Sequence, residues 1–296
     1  MNRRTANVLL LIAGAIWGMG FIAQQTAMDD MSPMLFIGLR FLLAAAVVAP
    51  LAVVESRRTT ESLTSAHWRQ NGALSAVFFL AMSLQQLGLL DTTVTNAGFL
   101  TTLYVILVPV VLLILFRRKQ PAAVWIASLV SVVGIYLLSN GDFSRIRWGD
   151  MLVVLCAVFW AAHVILVERF ATGSARPIAM ATTQFAACGF AGLAVHAICA
   201  FLSWVDAGVT EAILWAALPE ILYAGALSGG LAFTLQIVAQ QHTSSSVAAI
   251  LMGTESLFAA IGGAILLDER LSAVGYAGCA LIFGSVIAVE LLAKEE

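Results

Sequence analysis

The chain has 296 residues, of which 61% are hydrophobic and 11% are charged, and its mean hydropathy is +0.95. Soluble globular domains carry about 25% charged residues, so this composition excludes a water-soluble enzyme and indicates an integral membrane protein. The formal net charge is −2, and the sequence contains no basic run of the kind that binds nucleic acid, so we predict no nucleic-acid partner.

Apolar stretches long enough to cross a lipid bilayer follow one another along almost the whole chain. A membrane-spanning helix needs about 20 mostly apolar residues. In chain order the candidates are residues 7–28, 33–54, 70–90, 95–116, 122–139, 149–168, 177–203, 217–240, 245–267 and 272–292. We therefore predict an all-α integral membrane protein with ten transmembrane helices, whose loops leave no room for a soluble catalytic domain.

The Lys and Arg residues predict how these helices are oriented. If the N-terminus is cytoplasmic and the chain alternates sides, eleven of the fifteen basic residues lie near the inner face, three lie near the outer face and Arg40 lies within a span. Basic residues concentrate on the cytoplasmic side of membrane proteins. We therefore predict that the N- and C-termini are both cytoplasmic, which requires an even number of spans.

The two halves of the chain resemble each other. Trp17 in the first span matches Trp160 in the sixth, and residues 85–110 align with residues 236–261 without a gap. Because each half contains five spans, an odd number, the second half is inverted relative to the first in the membrane. Inverted repeats of this kind are typical of transporters whose substrate site lies between the halves. We expect the two repeats, arranged around a central cavity, to cover residues 1–140 and 141–296.

Several short motifs along the chain resemble those of the drug/metabolite transporter superfamily, EamA type. They are residues 14–18 (GAIWG), Pro33 followed by Arg40-Phe41, and residues 107–109 (LVP), 254–256 (TES) and 267–271 (LDERL). The resemblance covers nearly the whole chain and is greatest to bacterial amino-acid and aromatic-metabolite exporters. It implies a secondary transporter of the bacterial inner membrane that moves small metabolites outward by alternating access.

Two ionisable residues lie deep inside predicted spans. Arg40 is seven residues into the second span, and Glu255 is ten residues into the ninth. An ionisable side chain in hydrocarbon costs a few kcal/mol, so such residues face the protein interior and often mark a substrate pathway. We predict that Arg40 attracts a substrate carboxylate and that Glu255 binds an amine or carries a coupling proton. The alternative is that each is held in a structural ion pair, for example with the other.

Aromatic and uncharged polar residues complete the predicted site. Trp17 and Trp160 lie midway along their spans rather than at the membrane surface, where tryptophan is usually found. His163 follows one turn after Trp160 and can titrate near neutral pH. Each of these residues has helix packing as its alternative role. The predicted substrate-binding residues are Trp17, Arg40, Gln85, Tyr104, Trp160, His163, Gln236 and Glu255.

Known catalytic and nucleotide-binding motifs are missing from the sequence. There is no phosphate-binding glycine-rich loop with Lys and Ser or Thr, no Ser-His-Asp grouping and no paired metal ligands. We therefore predict no enzyme activity, no cofactor and no metal, and we expect transport to be driven by protons or by a counter-substrate. The expected partners are a small-molecule substrate and the lipid bilayer, and no oligomeric state follows from the sequence. A passive facilitator or channel and a membrane-embedded enzyme using Glu255 and His163 are the alternative functions.

Overall fold

The computed structural model describes residues 1–60, 62–138, 147–172, 174–206, 209–266 and 270–292, and within these ranges every regular element is helical. The α-helices are α1 (Arg3–Thr26), α2 (Pro33–Arg58), α3 (Ser65–Gly88), α4 (Val94–Thr101), α5 (Tyr104–Ile114), α6 (Ala122–Leu138), α7 (Trp148–Ala171), α8 (Pro177–Phe201), α9 (Glu211–Ala216), α10 (Leu218–Leu222), α11 (Phe233–Ala239), α12 (Ser245–Met252), α13 (Glu255–Leu266) and α14 (Ala273–Leu292). A 3-10 turn at Ala27–Asp29 extends α1, and a π-helix at Tyr223–Ala232 joins α10 to α11. The all-helical prediction is confirmed for these residues.

Seven helical passages in the described part of the chain are long and apolar enough to cross a membrane. They are Arg3–Asp29, Pro33–Arg58, Val94–Ile114, Trp148–Ala171, Pro177–Phe201, Leu218–Ala239 and Ser245–Leu266. Helix α6 and the Ala273–Val289 stretch of α14 are apolar but shorter, and α3 is 24 residues long but less apolar. The predicted count of ten spans therefore stays a prediction. Residues 267–269 of the LDERL motif lie outside the described residues.

Helix starts follow local sequence signals. Thr64, Thr93 and Ser244 each precede a helix and accept a hydrogen bond from a backbone N–H in its first turn. A side-chain oxygen at this position satisfies one of the four N–H groups that have no partner within the helix. Pro33 and Pro177 are the first residues of α2 and α8, where the missing N–H costs nothing because it would be unpaired.

Two of the long passages are each broken in the middle, at corresponding positions. Helices α4 and α5 are separated at Thr102 and Leu103, and helices α12 and α13 are separated at Gly253 and Thr254. In the gapless alignment these two breaks coincide, and α4 and α12 both have eight residues. The two halves therefore agree in backbone detail as well as in sequence.

Pro109 lies inside α5 without ending the helix. Proline has no N–H, so the carbonyl of Val105, four residues earlier, loses its partner within the helix. The Ser128 hydroxyl of α6 donates to this carbonyl at 3.3 Å. A neighbouring helix thus satisfies the freed backbone group, as buried backbone in a membrane requires.

The contacts between passages recur in matching pairs. Helix α2 packs on α8, and α6 packs on α14. Helix α1 packs on α13, and its counterpart α7 packs on α4 and α5. Helix α3 packs on α7, and the counterpart of α3, formed by the π-helix and α11, packs on α1. The passages α1, α7, α4–α5 and α12–α13 therefore surround the centre of the molecule, where the candidate site lies.

Candidate functional site

A narrow cavity lies between the two halves. Twelve of its fifteen lining residues form six pairs that align between the halves. The pairs are Trp17 with Trp160, Phe21 with Val164, Met82 with Phe233, Gln85 with Gln236, Thr101 with Met252, and Tyr104 with Glu255. The other three are Gln24, Arg40 and Ser228. Each half thus contributes the same set of positions to one shared cavity.

The structure brings together seven of the eight predicted site residues and leaves one outside. All except His163 line the cavity. The His163 ring lies behind Trp160, with the ring centroids 5.3 Å apart, and it also packs 5.2 Å from Phe78. Its Nε2 is 2.9 Å from the side-chain oxygen of Gln184. His163 is therefore placed to support the tryptophan wall and not to contact a molecule in the cavity.

Three aromatic rings form one wall of the cavity. The Phe233 ring is stacked on Trp160 at a centroid distance of 5.6 Å and an interplanar angle of 12°, and it lies 4.5 Å from the ring of Trp17. The Trp17 indole N–H donates to the backbone carbonyl of Ser228 in the π-helix at 3.0 Å, which fixes the ring. Such a wall suits the apolar or aromatic part of a ligand, and tryptophan and phenylalanine faces attract cations.

Arg40 brings a positive charge to the cavity. Its side chain is 1% exposed, and its Nη2 lies 2.9 Å from the Met82 sulfur. The guanidinium carbon is 5.1 Å from the centre of the Phe36 ring and 4.7 Å from that of Phe41. These neighbours are all uncharged.

Glu255 brings a carboxylate to the same cavity from the opposite half. It is the first residue of α13, directly after the break, and is 5% exposed. The positive end of a helix dipole stabilises a carboxylate at this position. The Thr102 hydroxyl lies 3.5 Å from its Oε1, and Tyr104 lines the same cavity. The break in the passage therefore explains how an acidic side chain is held inside the molecule.

Arg40 and Glu255 do not form an ion pair with each other. The ion pairs recorded among the described residues are Arg118 with Glu168 at 2.7 Å and Arg176 with Glu55 at 3.6 Å. The alternative interpretation, in which the two buried charges of the cavity hold each other, is wrong for this conformation.

Amide side chains add uncharged hydrogen-bonding groups. The Gln85 amide donates to the Thr101 hydroxyl at 3.0 Å, and the Gln236 amide donates to the Gln240 side-chain oxygen at 2.8 Å. The Gln240 amide in turn donates to the backbone carbonyl of Val164 at 3.0 Å. The Gln236 side-chain oxygen is buried without a hydrogen-bond partner, so it can accept a hydrogen bond from a ligand.

Comparison with known proteins identifies the family. A family model described as the EamA-like transporter family matches residues 4–140 and matches again over residues 147–291. The chain belongs to the EamA-like transporter family. The resemblance predicted from the sequence is thereby confirmed, and this EamA-like protein is a multi-pass membrane transporter.

Two relatives and one solved structure extend this result. An uncharacterized transporter of Archaeoglobus fulgidus is 28% identical over 291 residues, which is 98% of this chain and 87% of the relative. An uncharacterized transporter of Methanothermobacter thermautotrophicus is 27% identical over 207 residues, which is 68% of this chain and 58% of the relative. A crystal structure of a protein at 18% identity covers 99% of both chains with a TM-score of 0.77, and this likeness concerns the fold alone.

Sequence reasoning missed several residues that line the cavity of this EamA-like transporter. Phe233 and Met82 are apolar residues inside apolar spans, so their types carried no signal. Their positions carried one, because they align with each other and each lies three residues before a predicted site glutamine. The cavity combines an aromatic wall, one guanidinium, one carboxylate and neutral amides, a set that can recognise a ligand without forming covalent bonds.

Proposed function

We propose that this chain is a secondary active transporter that carries small amphipathic metabolites, such as amino acids or aromatic compounds, by alternating access to the central cavity. The observation that carries the proposal is the paired lining of that cavity. A site built from equivalent positions of two halves can be exposed to either side of the membrane by equivalent movements of the halves. Its aromatic wall and two opposite charges suit a molecule with an apolar body and charged ends.

The proposed architecture has ten membrane spans in two inverted repeats, residues 1–140 and 141–296. Helices α3, α6 and α14 would supply the three spans beyond the seven that meet the length and hydropathy criteria. The N- and C-termini would both be cytoplasmic, which is supported by the excess of basic residues on that side. The membrane would be the bacterial inner membrane, and outward transport is inferred from the resemblance to bacterial exporters.

The lining residues would divide the recognition of one substrate. The rings of Trp17, Trp160 and Phe233 would enclose its apolar part, and the amides of Gln85 and Gln236 would form hydrogen bonds to it. Glu255, with Tyr104 beside it, would bind an amine or carry a coupling proton. Transport would be driven by a proton carried on Glu255 or by a counter-substrate. A counter-substrate would bind in the same cavity as the substrate.

The test begins with thermal stabilisation of the purified protein by each of the twenty amino acids and by common aromatic metabolites. A ligand that binds only the folded state raises its melting temperature. Transport of the most stabilising compound is then measured in proteoliposomes. We expect saturable uptake and counterflow against the unlabelled compound. Uptake that rises linearly with concentration and shows no counterflow would instead favour the passive channel, and no uptake of any compound would contradict the proposal.

Two variants and their matched controls connect uptake to the cavity. Glu255→Gln and Trp160→Ala should reduce uptake at least about tenfold, because each removes an interaction at the site. Glu211→Gln and Trp215→Ala change the same residue types in the exposed helix α9, where the Trp215 indole donates to Glu211, and should leave uptake unchanged. Normal uptake by both cavity variants would place the substrate elsewhere.

A further inference from the structure

We propose that Arg40 is the carboxylate-binding group of the cavity, so that the substrate itself supplies the counter-charge that Arg40 lacks in the empty protein. The proposal rests on the transport function proposed above and narrows it. It assigns the substrate class to molecules with a free carboxylate next to an apolar group, and it makes amines and neutral amides of the same shape poor substrates.

The contacts of Arg40 leave its charge and part of its hydrogen-bonding capacity unused. A guanidinium is always charged and has five N–H donors. One of these points at the Met82 sulfur, a weak acceptor, and Nε has no hydrogen-bond partner. The Phe36 and Phe41 rings attract the cation, but aromatic faces do not replace the water that a buried guanidinium loses.

No carboxylate among the described residues lies within ion-pair distance of Arg40. Glu255 lines the same cavity, but it forms no ion pair with Arg40, and its Oε1 faces the Thr102 hydroxyl at 3.5 Å. Arg40 is thus a buried cation that lines the cavity without a carboxylate partner. A planar guanidinium fork matches the two oxygens of a carboxylate, which is the ligand group it binds most specifically.

The other half of the protein shows that the fold does not require a charge at this position. Arg40 lies seven residues after Pro33, and Gln184 lies seven residues after Pro177. The neutral Gln184 side chain is also fully buried; its Oε1 lies 2.9 Å from the His163 Nε2, and its Nε2 has no hydrogen-bond partner. Helices α2 and α8 pack against each other, and the position on α8 that is equivalent to Arg40 carries no charge, so helix packing alone does not call for one.

The first experiment measures the melting temperature of the ligand-free protein in detergent. Arg40→Met replaces an unpaired buried cation with an apolar side chain of similar length, so the melting temperature should be unchanged or higher. Arg176→Met is the matched control, because Arg176 is paired with Glu55 and its loss should lower the melting temperature. A fall of more than about 3 °C for Arg40→Met would show a structural role and would overturn the proposal.

The second experiment compares L-phenylalanine, 3-phenylpropionate and phenethylamine, together with the matching set of leucine, 4-methylpentanoate and isopentylamine. These compounds differ only in which charged groups they carry. Carboxylates should stabilise the wild-type protein more than the matching amines do. Arg40→Met should weaken carboxylate binding by about 10- to 100-fold, the usual effect of removing a charged hydrogen-bonding partner.

The outcomes separate this proposal from the transport function. Equal binding of amines and carboxylates, or unaltered carboxylate binding by Arg40→Met, would overturn the role of Arg40 while leaving transport intact. If no compound of either charge binds the wild-type protein, the substrate range proposed for the transporter fails. The melting temperature of Arg40→Met then decides between an unpaired cation and a structural arginine without any ligand.

Discussion

Replacing Gly18 with alanine tests whether the cavity depends on close contact between α1 and α13. A Cβ atom at Gly18 would lie 2.5 Å from the Glu255 carbonyl oxygen, 2.5 Å from the Phe258 Cβ and 2.7 Å from the Ala259 nitrogen. Two of these are backbone atoms of α13, which cannot rotate away. To reach the ordinary contact distance of 3.4 Å the two helices must separate by about 0.9 Å. Small residues at helix crossings allow this close approach in membrane proteins.

The cost of that separation follows from the packing of buried helices. Overpacking a close-packed interior destabilises a protein by about 1–3 kcal/mol. For a chain of this size each kcal/mol lowers the melting temperature by about 2–4 °C, so Gly18→Ala should melt about 2–12 °C below the wild type. Because Trp17 directly precedes Gly18 on α1 and Glu255 lies on α13, the same movement should widen the cavity and reduce uptake in proteoliposomes at least about tenfold.

Gly72→Ala is the matched control for this change. Gly72 lies in α3, and a Cβ atom there would meet nothing within 4 Å. Alanine also has a higher helix propensity than glycine by about 1 kcal/mol, so this variant should be as stable as the wild type or slightly more stable. If Gly18→Ala and Gly72→Ala had the same melting temperature and the same uptake, the close contact between α1 and α13 would not exist.

Two further predictions concern regions outside the cavity. Ser128→Ala should lower the melting temperature by a few degrees, because the carbonyl of Val105 loses its buried partner at a cost of about 1 kcal/mol. Ligand affinity measured by thermal shift should not change. An unchanged melting temperature would mean that another group satisfies this carbonyl. Gly278→Ala should destabilise the protein, because its Cβ would lie 2.4 Å from the Gly134 carbonyl oxygen of the facing helix. Gly284→Ala on the same helix would meet nothing within 4 Å and should be neutral in the same melting experiment, so equal effects of the two glycine variants would contradict the packing of α6 on α14.

The positions of the helices were predictable because hydropathy is a property of long segments. The candidate spans 95–116 and 177–203 correspond to the observed passages Val94–Ile114 and Pro177–Phe201. The breaks inside passages were not predictable in the same way. The break at Thr102 and Leu103 contains neither glycine nor proline, and Pro109, the residue that suggests a kink, lies inside a continuous helix. What decides these cases is tertiary contact, such as the one between Ser128 and the freed carbonyl.

The content of the cavity was predictable where residue type and position agreed. Polar and charged residues inside apolar spans stand out, so the sequence alone indicates Arg40 and Glu255 as site residues. Phe233 did not stand out, since an apolar residue in an apolar span has no distinguishing chemistry. The prediction of His163 as a site residue rests on its position one turn after Trp160. Three residues turn a helix by about 300°, however, so the two side chains differ in direction by about 60°. That difference puts the histidine behind the wall.

The departures from symmetry in the cavity bear directly on how a substrate would be oriented. In a cavity with identical halves, a molecule with two different ends could bind in either of two opposite orientations with equal energy. Two aligned pairs break this equality, because Arg40 corresponds to the neutral Gln184 and Glu255 corresponds to the neutral Tyr104. The cation comes from one half and the carboxylate comes from the other. A zwitterion would therefore bind in one orientation only, and it would contact both halves at once, so that its binding depends on their relative position.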